Sequence, residues 1–142
     1  MILFDTNLIS EALKSACDPH VAAWLNTCPA PDMWTTAINL AELRFGVALL
    51  PEGQRKTMLH RDLERLLSKA FENRIIAFDA NCSAAFGDIA ASMRRRGRAI
   101  GVPDCQIAAI AMVHGLTVAT RDVQPFADAG VSVISPWIEA QK

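Results

Sequence analysis

In Met1-Ile2-Leu3-Phe4-Asp5-Thr6-Asn7-Leu8-Ile9, four apolar residues run straight into an acid with no polar alternation among them. Such a run predicts a central strand buried on both faces, with Asp5 at its carboxyl end. In an open parallel sheet that edge is where the strands stop, the loops part and ligands bind.

Working outward, further short segments of strand-like composition follow. Met33 to Thr36, Ile75 to Phe78, Leu116 to Ala119 and Val131 to Ile134 predict further strands. Between them lie helical patterns. Thr6 or Asn7 is expected to cap a helix carrying Leu8, Ile9 and Leu13, with a break around Ser15 to Asp18. Asp18-Pro19 then reads as a cap with proline in the first turn of a helix through Trp24, ending before Pro29. Asn39-Leu40-Ala41-Glu42 resembles a capping box with Asn39 as the cap. Its helix runs to Leu50 and turns at Pro51-Glu52-Gly53 into an amphipathic helix over Arg55 to Phe71, a hairpin that offers a partner-binding face. Asp79 is expected to cap a helix through Phe86, Ile89 and Met93. Val102-Pro103-Asp104 opens another, which ends at His114-Gly115. Strands alternating with helices imply right-handed crossovers and an α/β fold, a three-layer sandwich around a central, mainly parallel sheet. No linker or repeat divides the chain, so residues 1–142 are expected to form a single domain.

Composition narrows the function classes. Of the 142 residues 51% are hydrophobic and 20% charged, an apolar balance that predicts a subunit or partner interface. The net charge of -1 excludes a uniformly basic nucleic-acid binder. Four arginines, Arg94, Arg95, Arg96 and Arg98, nonetheless cluster in one run. A solvated helix end explains such a run, and phosphate binding is the functional alternative. Cys17, Cys28, Cys82 and Cys105 form no Cys-x-x-Cys pair and read as free thiols. With no apolar run long enough to span a membrane and no signal-peptide pattern, a cytoplasmic protein without membrane contact is expected.

Four acids carry the chemistry. Asp5 ends the first strand, Asp122 lies just beyond Ala119, and Glu42 and Asp104 sit in the first turns of helices. In this architecture all four reach the same edge of the sheet. Each alone has an ordinary explanation in helix capping or the helix dipole. Together they would repel one another and raise each other's pKa values, so such a cluster calls for cations. A site of oxygen ligands without His or Cys favours Mg²⁺, with Mn²⁺ as a substitute, over Zn²⁺. Ions of this kind lower the pKa of water and stabilise phosphodiester hydrolysis.

The motifs carry a resemblance. Phe4-Asp5-Thr6-Asn7, Ala41-Glu42-Leu43-Arg44-Phe45-Gly46, Asp104 before Ile107-Ala108-Ala109-Ile110-Ala111, and Ala119-Thr120-Arg121-Asp122 with Phe126 resemble the four motif blocks of PIN-domain nucleases. More narrowly the chain is similar to the VapC toxins of type II toxin–antitoxin systems. Ile9-Ser10-Glu11 and Pro136-Trp137 point to their FitB-like branch. The resemblance implies a metal-dependent endoribonuclease that hydrolyses RNA through a metal-activated water, with Asp5, Glu42, Asp104 and Asp122 as the acidic Mg²⁺ site. Asp5 and Asp104 would be direct ligands, while Thr120, Thr6 and Asn7 would orient carboxylates or waters. It further implies a homodimer, a cognate antitoxin that blocks the site, and operator DNA bound through the antitoxin complex. Arg44 and the Arg94, Arg95, Arg96 and Arg98 run are the candidate RNA contacts. One departure is Val102-Pro103-Asp104-Cys105, where relatives carry smaller residues before the Asp, which bears on the angle of that helix.

Two alternatives stand beside this reading. The chain could be a non-catalytic co-repressor acting with its antitoxin on operator DNA. It could also be an aspartyl-phosphate phosphatase, although those enzymes place a second acid where Asn7 stands. His20, His60 and His114 match no nucleophile and base pairing, and Cys105 reads as a packing residue.

Overall fold

The computed structural model describes residues 1–138, so the last four residues of the expected domain lie outside the described part. Five strands, β1 (Ile2–Phe4), β2 (Met33–Thr36), β3 (Ile75–Ile76), β4 (Thr117–Ala119) and β5 (Val133–Ile134), form one sheet in the order β3-β2-β1-β4-β5. Every pairing is parallel. β1 is central, as its unbroken apolar run requires. The helices are α1 (Thr6–Ala12), α2 (Pro19–Thr27), α3 (Ala37–Ala48), α4 (Gln54–Ala70), α5 (Ala80–Arg95), α6 (Val102–His114) and α7 (Val123–Asp128).

The pleat of the sheet sorts the core into two halves. Leu3 and Val118 face one way and join Ile89, Met93, Ile107 and Ile110 from α5 and α6. Phe4 and Ala119 face the other way and join Leu8, Val21, Leu43 and Leu63 from α1 to α4. The result is the expected three-layer sandwich. Phe4 is fully enclosed, its ring 5.6 Å from Trp24 and 5.5 Å edge-on to Phe71. Burying a side chain of that size contributes about 2 to 3 kcal/mol, and here it also immobilises the residue next to Asp5.

Local signals set most boundaries. Asp18 caps α2 by accepting from the backbone N–H groups of His20 at 2.8 Å and Val21 at 3.4 Å, with Pro19 at the first position. Asp79 caps α5 by accepting from Cys82 N at 3.1 Å. Gly115 closes α6 at φ 65°, a left-handed geometry that a side chain would strain. α3 and α4 form the expected hairpin, with Leu43 and Val47 packed in the same half-core as Leu63 and Leu67.

Three expectations are corrected. The cap of α3 is Thr36, whose hydroxyl accepts from Asn39 N at 3.1 Å, so the helix starts at Ala37 and Asn39 lies inside it. Neither Thr6 nor Asn7 caps α1: Asp5 holds that position without a side-chain cap bond, its carbonyl accepting from Leu8 N and Ile9 N. The third and last strands are two residues each. Phe78 leaves the sheet to meet Phe86 edge-on at 6.1 Å, and Val131 N is taken by Phe126 O at 3.1 Å to close α7. Among the described residues no helix is long and apolar enough to cross a membrane.

Candidate active site

The β1 and β4 pairing builds the centre. Phe4 stands opposite Ala119, and Asp5 N donates to Ala119 O at 3.1 Å, so Asp5 and Thr120 leave the sheet side by side. Asp5 is 5% exposed, and each of its carboxylate oxygens has its own neutral donor. Thr120 Oγ1 donates to Oδ2 at 2.8 Å and Asn39 Nδ2 donates to Oδ1 at 2.9 Å. Burial pushes the Asp5 carboxyl above its ordinary value, against the opposing pull of the bonds from Thr120, Thr6 N and Asn39, and the charge of Asp122 adds to the rise.

The remaining acids are held by the same network. Glu42 rises from α3, where Thr6 Oγ1 donates to its Oε1 at 2.9 Å. The Thr6 hydroxyl in turn accepts from Asn39 Nδ2 at 3.1 Å, so one amide serves Asp5 and Thr6 together. Asp122 N donates to Thr120 Oγ1 at 3.1 Å, tying the fourth acid to the first. Asp104, on the first turn of α6, has no hydrogen-bonded partner of this kind among the described contacts. Burial first, then the charges of Asp5, Glu42 and Asp122, push its carboxyl up to about 6.

All four predicted acids line one cleft of about 410 Å³, together with Thr6, Asn7, Ser10, Glu11, Lys14 and Arg121. Asn7 spans the rim, donating from Nδ2 to Thr120 Oγ1 at 3.2 Å and accepting from Arg121 N at 3.1 Å. The capping explanations for Glu42 and Asn7 therefore give way to long-range contacts. Asp122 holds the cap position of α7 without a side-chain cap bond. Among the described residues no three His, Cys, Asp or Glu side chains already stand at ligand spacing. The donor set is nonetheless all oxygen, and the Asp104 carboxyl, raised first by burial and then by the three neighbouring acids, is a group whose charge a hard cation would stabilise.

The predicted arginines lie outside this cleft. Arg44 is ion-paired with Glu64 of α4 on the hairpin surface. Arg94 and Arg98 line a separate groove with Gly101 and Val102, beside the start of the helix that carries Asp104. Arg96 donates to Asp128 O. Asn39 and Glu11 were not among the expected site residues. Asn39 was concealed by its match to a local capping pattern. Glu11 carried a readable signal, an acid at i+3 from Leu8 on the apolar face of α1.

Comparison with known proteins gives a consistent result. The PIN domain matches residues 2–131. Toxin FitB of Neisseria gonorrhoeae is 44% identical over 137 residues, covering 96% of this chain and 99% of that protein. VapC ribonuclease Y4jK of Sinorhizobium fredii is 42% identical, covering 96% and 98%. The crystal structure of FitAcB from Neisseria gonorrhoeae matches with a TM-score of 0.91 at 44% identity over 96% of this chain and 99% of that one. FitAB bound to an IR36 DNA fragment matches with a TM-score of 0.94 at 40% identity over 99% of each chain. The chain belongs to the PIN-domain family. Its place there is with the VapC toxins, in the FitB-like branch to which Ile9-Ser10-Glu11 and Pro136-Trp137 point.

Proposed function

We propose that this protein is the toxin of a toxin–antitoxin pair, a Mg²⁺-dependent endoribonuclease that hydrolyses RNA phosphodiesters to a 5′-phosphate and a 3′-hydroxyl. The observation that carries the reading is the arrival of four carboxylates from separate segments in one cleft, with Asp104 pushed up to about 6 by burial and the other three acids. Asp5 and Asp104 would hold the ion directly, and Glu42 and Asp122 would complete its surroundings. When bound, Mg²⁺ or Mn²⁺ supplies Lewis acidity and a water of lowered pKa.

The chain's own residues do the rest. Asn39 and Thr120 fix the two oxygens of Asp5, and Thr6 fixes Glu42, so these carboxylates are aimed before substrate arrives. Asn7 holds Thr120 and the backbone of Arg121 in register. The arginine run at the end of α5 extends the surface along which RNA lies. Arg44, engaged with Glu64, is assigned no such contact.

An antitoxin partner is supported by the FitAB and FitAcB complexes. A larger apolar groove between α1, α3 and α4, about 990 Å³ and lined by Leu13, Val47, Met58 and Leu59, opens into the acidic cleft at Thr6 and Glu42. A segment lying there would block the site. The DNA-bound FitAB structure supports a second proposed role, co-repression of operator DNA through the antitoxin. We further propose that the protein is cytoplasmic and acts as a homodimer. The deciding experiment incubates the purified chain with single-stranded RNA in Mg²⁺ and in EDTA. Cleavage that disappears in EDTA and in Asp5→Asn and Asp104→Asn is expected; full cleavage in EDTA would overturn the reading. Operator binding by the toxin and antitoxin together, measured by gel shift, separates the second role.

A further inference from the structure

The acidic cleft also holds two cations, and both lead to one buried acid. Glu11 is 5% exposed, on the face of α1 that carries Leu8 into the core. Its Oε1 accepts from Asp18 N at 2.9 Å, where the chain turns from α1 into α2. Its Oε2 takes Lys14 Nζ at 2.7 Å, and Arg121 Nη2 stands 3.8 Å from the same oxygen. The Lys14 bond is the main reason the Glu11 carboxyl titrates below its usual range.

Arg121 is further held by Trp137, its guanidinium 4.6 Å from the ring centroid. Despite these anchors the two cations remain open to solvent, Lys14 with 57% and Arg121 with 58% of its side chain exposed. A surface pair formed only for charge balance has no need of a buried acid, a backbone tether and an aromatic platform. Electrostatics points the same way. Asp5, Glu11, Glu42, Asp104 and Asp122 all line the cleft, and Lys14 and Arg121 are the cationic side chains that line it with them. A polyanion approaching this pocket meets favourable charge at these two groups.

We propose that Lys14 and Arg121 grip the RNA phosphate next to the one being hydrolysed, and that Glu11 is the positioning residue that holds both at the cleft's edge. The assignment rests on the nuclease reading for the scissile group but makes its own claim about binding. Arg121 offers a planar fork suited to phosphate oxygens, and Lys14 a mobile point charge. The neighbours in sequence explain the placement: Arg121 directly precedes Asp122, and Lys14 follows the helix that starts beside Asp5, so the phosphate grip is built on two of the segments that carry the acids.

The test uses full-length Lys14→Ala, Arg121→Ala, Arg121→Lys and Glu11→Gln. Binding of an end-labelled single-stranded RNA is followed by fluorescence anisotropy in Ca²⁺, and steady-state cleavage in Mg²⁺. Each alanine variant should weaken binding about 5- to 20-fold and lower the salt slope by about 0.7, one single-strand phosphate contact. KM should rise with kcat within about threefold, since the contact is made alike in ground and transition states. Arg121→Lys should restore the salt slope but only part of the affinity, since the charge returns without the fork, and Glu11→Gln should weaken binding with both cations still present. Unchanged affinity and slope in the folded alanine variants would overturn the proposal, as would lost kcat at constant KM. Loss of RNA binding in the variants, with no cleavage by the wild type, would overturn the nuclease reading and leave the grip standing.

Discussion

Asp104→Asn replaces a carboxyl by an amide of nearly the same shape at the most strained charge of the cleft. Without metal the Asp104 carboxyl titrates at about 6, whereas in the unfolded chain it returns to its ordinary 3.8. Between those two values the folded protein keeps a proton that the unfolded chain has released. Stability therefore falls as pH rises through the window, and the penalty is complete above about 6. A shift of that size corresponds to roughly 3 kcal/mol in full; because the side chain is only half-buried, solvent screening reduces it to about 1 to 2 kcal/mol.

The neutral variant should thus be about 1 to 2 kcal/mol more stable than wild type near pH 7.5 in EDTA, and about a third of that gain should remain near pH 4.5. Urea unfolding followed by tryptophan fluorescence reads this as a midpoint shift of roughly 0.5 to 1 M at constant slope. Added Mg²⁺ should erase the advantage, because only the wild type keeps the full ligand set. Cleavage by the same variant should be abolished. A variant less stable than wild type at pH 7.5, or a gain that does not shrink on acidification, would refute the electrostatic account.

Two further predictions test the frame around this site. Asn39→Ala removes the amide shared by Asp5 and Thr6, and should destabilise the fold by about 1 to 3 kcal/mol, push the Asp5 carboxyl further up and lower cleavage at least about tenfold; retained cleavage would make Asn39 a packing residue. Mg²⁺ or Mn²⁺ should raise the melting temperature of wild type in proportion to the logarithm of its concentration, and the Asp5→Asn, Asp104→Asn double variant should not respond; an equal response in both would place the ion elsewhere.

The strand that carries Asp5 was readable because nothing competes with an unbroken apolar run closed by an acid. The α3 and α4 hairpin was readable because Pro51-Glu52-Gly53 interrupts two helical periods. Capping was harder to read. Asn39-x-x-Glu42 satisfies a local rule, yet Thr36 lies one turn earlier and frees both side chains for partners 33 to 36 residues away in the chain. A pattern within four residues carries no information about Thr6 or Asp5. The four acids could be named from the sequence, and the fold brings them to one cleft, but the neutral groups that aim them depend on which segments adjoin, and that is a property of the sheet. For the same reason the arginine run drew notice by density, while Lys14 and Arg121, each isolated in sequence, meet only through the buried carboxylate of Glu11.

The β1 and β4 register has an evolutionary reading. Because Phe4 faces Ala119, Asp5 and Thr120 meet only while every residue between the end of α6 and Thr120 is counted correctly. Deleting one residue from β4 would turn Thr120 toward the opposite layer. Inserting one in α6 ahead of Ile107 would swing Asp104 by about 100° around the helix axis. Length variation in homologous chains should therefore collect at Pro51 to Gly53 and at Arg96 to Gly101, where a changed count alters a loop and leaves the spacing of the acids intact.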